Sequence, residues 1–96
     1  MQDLYVIVCE EEVKGEHDLK IASGIRAYKR ILEIKEKYPF RNVNDEPQRI
    51  PADLPKPEDC RVFVCGTSLL NWISIQAKAL EKAGYSPRID VAASTY

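Results

Sequence analysis

Two short apolar runs set the architecture: Leu4-Tyr5-Val6-Ile7-Val8-Cys9 and Arg61-Val62-Phe63-Val64-Cys65-Gly66. Each is rich in β-branched residues and lacks polar alternation, which is the pattern of a strand covered on both faces. VIVC and VFVC form an internal echo, and each run is followed by a stretch with helical spacing. Strands of this kind belong to a parallel sheet with helical crossovers, so an α/β fold is expected.

The first helix is expected from Asp18 to Tyr38, with Ile21, Ile25, Tyr28 and Leu32 recurring on one face and Ala22 and Ile31 beside them. Asp18 suits the N-cap, and Pro39 ends the helix. Lys20, Lys29, Arg30, Lys35 and Lys37, interspersed with Glu33 and Glu36, read as a solvated face. A second helix is expected from near Ser68, striped by Leu69, Trp72, Ile73, Ala77, Leu80 and Ala83, with Gly84 at the C′ position. After Ser86-Pro87, the run Arg88-Ile89-Asp90-Val91-Ala92-Ala93 reads as a third strand. The expectation is a three-stranded, mainly parallel β-α-β-α-β unit, a Rossmann-like half, in one domain over residues 1–96.

Residues 39–60 hold five of the six prolines: Pro39, Pro47, Pro51, Pro55 and Pro57. Three readings stay open for this connection: a wrap along one sheet edge, a short strand near Asn42-Val43, or a partner-binding arm.

Composition narrows the function classes. With 14 basic and 15 acidic residues and a net charge of −1, the chain has no overall pull on nucleic acid. No apolar run reaches the roughly 20 residues of a membrane span, and Met1-Gln2-Asp3 supplies no basic start to a leader, so neither membrane insertion nor secretion is expected. Cys9, Cys60 and Cys65 are odd in number and lack CxxC spacing, which points to free thiols in a reducing cytoplasm.

Ligands of parallel sheets bind beyond the carboxyl ends of the strands, which places any site at Cys9–Asp18 and Cys65–Ser68. In Cys65-Gly66-Thr67-Ser68, Gly66 permits a tight turn, Thr67 or Ser68 offers a capping hydroxyl, and a helix N-terminus would attract an anion. Asn71 stands where a Cys-x5-Arg phosphatase loop needs arginine. Glu10, Glu11, Glu12, Glu16, His17 and Asp18 crowd the other segment, read as an acidic loop. Carboxylates with an imidazole suit a divalent cation or acid–base chemistry, although a solvated acidic loop is the commoner meaning. Cys9 and Cys65 end equivalent strands, so neighbouring strands in register would bring the thiols within redox or metal-sharing distance; two buried thiols acting as small hydrophobes is the simpler state.

The stretch from about Arg49 to Ile89 contains Pro51-Ala52-Asp53-Leu54-Pro55, the strand ending Cys65-Gly66, and a helix ending Leu80-Glu81-Lys82-Ala83-Gly84-Tyr85. It resembles the end of the nicotinamide-binding domain of ferredoxin-reductase-like flavoenzymes. The resemblance covers under half of the chain and implies that Cys65 and Gly66 would lie at a nicotinamide. It departs from that family at Thr67-Ser68, where prolines usually stand, and in lacking the glycine-rich nucleotide loop.

The leading expectation is a small cytoplasmic, non-catalytic binding module without a cofactor. It would recognise a partner protein or a small anionic or nucleotide ligand through Cys65, Gly66, Thr67, Ser68, Cys9, Glu10 and His17. The alternatives are a thiol-based or NAD(P)-dependent oxidoreductase module using Cys65, and an assembly subunit. Two unpaired sheet edges and a small core make a homodimer the expected oligomer. Gly66→Val is expected to cost more stability than Gly24→Ala, since Gly24 reads as a glycine inside a helix.

Overall fold

The computed structural model describes residues 1–96. Strand β1 (Gln2–Val8) is buried from Leu4 onward and pairs on both sides, as its uninterrupted apolar run requires. Strand β2 (Phe40–Val43) flanks it on one side; β3 (Cys60–Gly66) and then β4 (Arg88–Ser94) follow on the other. The order is β2-β1-β3-β4 and every pairing is parallel. The α/β class with a parallel sheet is therefore as expected, but there are four strands, not three. The additional one is the short strand left open near Asn42-Val43. The remainder of the proline-rich connection wraps the sheet, with Ile50 and Leu54 packed on its core and one turn of 3-10 helix at Pro57–Asp59.

The expected helix over 18–38 is present but begins later, at Ala22, and a further helix that the sequence did not suggest precedes it. Helix α1 (Glu10–Asp18) occupies the segment read as an acidic loop, and α2 (Ala22–Lys37) follows. Asp18 thus ends a helix rather than capping one; the residue before α2 is Ile21, which makes no side-chain cap. Helix α1 buries only Val13, so its sequence carries almost no apolar periodicity. Glu10, Glu11 and Glu12 stabilise it instead, because carboxylates in the first turn face the positive end of the peptide dipoles. The chain leaves α1 through Lys20, a non-glycine residue in the left-handed region, whose amide donates to His17 while that of Ile21 donates to Glu16.

Leu4, Val6 and Val8 point to one face of the sheet, with Val62, Val64 and, on helix α3 (Trp72–Lys82), Ile73 and Leu80. Tyr5 and Ile7 point to the other, with Cys65 and with Ala27, Ile31 and Ile34 of α2. Hence α2 buries Gly24, Ala27, Ile31 and Ile34, one step round from the expected stripe, and Ile21 and Leu32 are exposed. The shift comes from α1, which packs against the same helix: a Cβ at Gly24 would overlap the Cβ of Glu16 and the α1 backbone. Arg26 and Arg30 of α2 then reach β4. The Arg26 guanidinium donates to the carbonyl of Ser94 (2.6 Å), and Arg30 pairs with Asp90 (3.4 Å), which also accepts from the Tyr5 hydroxyl (3.4 Å). No helix is long and apolar enough to cross a membrane.

Gly24 is therefore no mild control for Gly66. Gly66 has φ +115, and a Cβ there would be driven into the Val8 carbonyl. Gly24→Ala would gain about 1 kcal/mol of helix propensity but must push two helices apart, so a net loss of about 1–3 kcal/mol is expected. Gly66→Val combines backbone strain with the clash and should lose more than about 3 kcal/mol. Urea unfolding midpoints of the two variants check both values; a stabilised Gly24→Ala would show that α1 and α2 do not meet at this glycine.

Candidate functional site

Strand β1 leads through α1 and α2 to β2 on one side, and β3 leads through α3 to β4 on the other. The chain thus changes direction between the carboxyl ends of β1 and β3, where open parallel sheets usually form a ligand crevice. Here the position is closed. In the register, Val8 lies opposite Gly66, and the Thr67 amide donates to the Val8 carbonyl (3.0 Å). The Thr95 amide donates to Gly66 (2.9 Å) and that of Leu69 to Thr95 (2.7 Å), while Asn71 and Ile73 both donate to the Ser68 carbonyl. The Thr67 hydroxyl, buried, bonds that of Thr95 (2.5 Å). Amides expected to face an anion are largely occupied by the protein's own carbonyls.

Several sequence-derived placements change accordingly. Helix α3 begins at Trp72, after a turn over Leu69–Asn71, rather than near Ser68, and neither Thr67 nor Ser68 supplies a side-chain cap. Gly84 does stand just past its end at φ +97. Cys65 is opposite Ile7 and packs with α2, whereas Cys9 lies beyond Val8 and packs in the core on the other face. The two thiols are separated by the sheet, since side chains alternate faces along a strand. Cys9 and Glu10 do stand at the carboxyl edge with the 66–68 turn. His17 does not: it lies seven residues further along α1, about 10 Å away, with its ring against Tyr28. Glu10 itself is taken by Lys35 (2.8 Å), and its other carboxylate oxygen is buried without a partner. No three His, Cys, Asp or Glu side chains come together as metal ligands.

The thiols are also chemically quiet. Cys65 is 0% exposed, and burial, then the charge of Asp90, pushes its thiol well above the usual range. Burial and then Glu12 push Cys9 up to about 11, and burial raises Cys60, which donates to the Lys56 carbonyl. A thiolate nucleophile at neutral pH has no support at any of the three.

The largest concavity lies elsewhere, beyond the carboxyl end of β2. It is an open groove of about 360 Å³, lined mainly by Asn42, Asn44, Asp45, Glu46, Arg49 and Ile50. Strand β2 places Asn42, the turn after it carries Asp45 and Glu46, and the Arg49 amide closes that turn on the Glu46 carbonyl (2.9 Å). Beneath the loop, Gln76 of α3 is fully buried, and its amide donates to the carbonyls of Pro47 and Arg49, both at 2.8 Å. Sequence reading missed this clamp. Its one signal is a glutamine interrupting the apolar stripe between Ile73, Ala77 and Leu80. Comparisons with protein-family models, characterised proteins and solved structures found no match.

Two outcomes follow from this geometry. A thiol whose folded pKa lies above its unfolded value of 9.0 contributes stability that is complete below about pH 9 and is lost as pH rises towards about 11. Cys9→Ala should therefore flatten the fall in urea stability over that window, and native protein at neutral pH should react with Ellman's reagent far more slowly than unfolded protein. Fast native reaction at any cysteine would contradict the burial. Gln76→Glu removes both donors and sets a carboxylate against two carbonyls; a loss of about 2–4 kcal/mol is expected, with faster hydrogen exchange in Asp45–Ile50.

Proposed function

We propose that the chain is a non-catalytic α/β binding module that works in a reducing, cytoplasmic compartment and recognises a partner protein at the carboxyl edge of its sheet. The observation that carries this reading is the contrast along that edge. The turn after β3 is sealed by its own hydrogen bonds, whereas the groove beyond β2 is open, polar and held from below by Gln76. The free groups in the groove are side-chain amides and the Asp45 carboxylate, because Glu46 is already paired with Arg49 (3.4 Å). That set favours hydrogen-bonding and basic groups of a protein surface over a phosphate, which would meet an excess of acid. Cys9, Glu10 and Ser68 form the neighbouring part of the same edge. Three buried thiols at raised pKa are suited to a reducing compartment and weigh against the oxidoreductase alternative. A nicotinamide at Gly66 would have to displace the Val8 contact, so the dinucleotide reading gains no geometric support.

The test uses a photo-cross-linking residue placed at Asn44, at Ser68 or at Lys29, with titrations of inorganic phosphate and NAD+ followed through backbone amide shifts. A discrete protein should be captured from Asn44, capture should fall at least about tenfold when Asp45→Arg is added, and Lys29 on α2 should capture nothing comparable. Shifts confined to Gly66–Asn71 on adding NAD+ or phosphate, or equal capture from Lys29, would overturn the reading.

A further inference from the structure

On the opposite side of the same loop, α3 leaves a second, smaller concavity. It is about 200 Å³ in volume and lined by Gln48, Ile75, Lys78, Ala79 and Lys82. Its surface is mostly apolar, unlike the other two concavities of the molecule. Ile75, 37% exposed, and Ala79 form the floor; Lys78 and Lys82 stand one helical turn apart on the rim. Neither lysine makes an ion pair, although Glu81 lies on the same helix three residues from Lys78. Two ammonium groups at this spacing repel each other, and a carboxylate bound between them would relieve the repulsion. The backbone that carries Gln48 is held in place, because the carbonyls of Pro47 and Arg49 on either side of it accept from Gln76.

We infer that this concavity is a docking site for an acidic peptide segment of a partner protein, one carboxylate meeting Lys78 and Lys82 and a neighbouring aliphatic side chain covering Ile75. Charge complementarity selects the acid. Size selects the peptide: small-molecule sites run from roughly 300 to 1,000 Å³, and this volume holds one or two side chains. The site is distinct from the groove beyond β2 and does not depend on it.

The probe is an acetylated, amidated Glu-Leu-Glu-Leu-Glu peptide, titrated into isotope-labelled protein, with a control peptide in which lysine replaces each glutamate. Backbone amides of Gln48, Ile75, Lys78, Ala79 and Lys82 should shift, with a dissociation constant of about 1 mM or tighter that weakens as salt is added. The double variant Lys78→Glu/Lys82→Glu should weaken binding at least about tenfold; both side chains are exposed, so the variant stays folded, its melting temperature lowered only by the acid placed at the C-terminal end of α3. Equal binding of the lysine peptide, unchanged affinity of the double variant, or no movement of α3 amides would overturn the site. Shifts confined to Asn42–Arg49 would overturn it too, while leaving the groove beyond β2 in place.

Discussion

The contact between Gly66 and the Val8 carbonyl governs the rest of the molecule. Because Gly66 adopts φ +115 and has no Cβ, the backbone after β3 turns directly across the end of β1, and the Thr67 amide caps the Val8 carbonyl. Thr95 then closes on Gly66, Leu69 closes on Thr95, and the two threonine hydroxyls bond behind them. The carboxyl ends of β1, β3 and β4 are tied into one knot of hydrogen bonds. It removes the crevice that a parallel sheet otherwise leaves at its change of direction, and with it the free amides that hold a phosphate.

Sealing the centre moves the available surface outward. Strand β2 has only four residues, and Arg41 donates to the carbonyls of Phe40 and Asp53, so the strand is short and its loop is fastened over it. Beyond Val43 the chain must still cross back over β1 to reach β3, and it does so without a regular helix. Such a crossover exposes polar side chains in fixed loops, which is where the open groove lies. On the far side, β4 departs from its ladder: Val64 pairs with Ile89 but Gly66 pairs with Ser94, so the intervening residues bulge away from β3. The Asp90 carboxylate accepts from the Ala93 amide in that bulge and anchors Arg30 at the same time.

The legible parts of this sequence were those dominated by one term. β1 from Leu4 and β3 from Val62 are uninterrupted apolar runs, which a parallel sheet buries on two faces; Pro39 and Gly84 end helices for local steric reasons. The four-strand sheet was half legible, because Phe40–Val43 is too short to show a period among prolines. Helix α1 was illegible: its stability comes from the charge of Glu10–Glu12 at the helix start and from one buried residue, Val13, and periodicity reports neither. The break at Lys20 hides for a related reason, since a lysine in the left-handed region carries no glycine signature. Cys65–Ser68, Cys9 and Glu10 do gather at the carboxyl edge of the sheet, as the strand pattern implies, but the sequence could not reveal which backbone amides would be occupied. Occupancy depends on Thr95, nearly thirty residues beyond Thr67, folding back onto the turn.

Gln76 shows how the two outlying concavities belong to one design. Its amide spans the carbonyls of Pro47 and Arg49, so the loop between them is pinned to α3 rather than to the strand it follows. Arg49 faces the groove beyond β2, and Gln48 forms a wall of the basic cleft along α3. One buried side chain therefore sets the distance between an acid-rich surface and a lysine-rimmed one. A polar group in an otherwise apolar core is costly unless its hydrogen bonds are made, and Gln76 satisfies its two donors only when the loop is in place. The buried amide thus links loop position to core stability, and the surfaces on either side of the loop share the rigidity of the core beneath them.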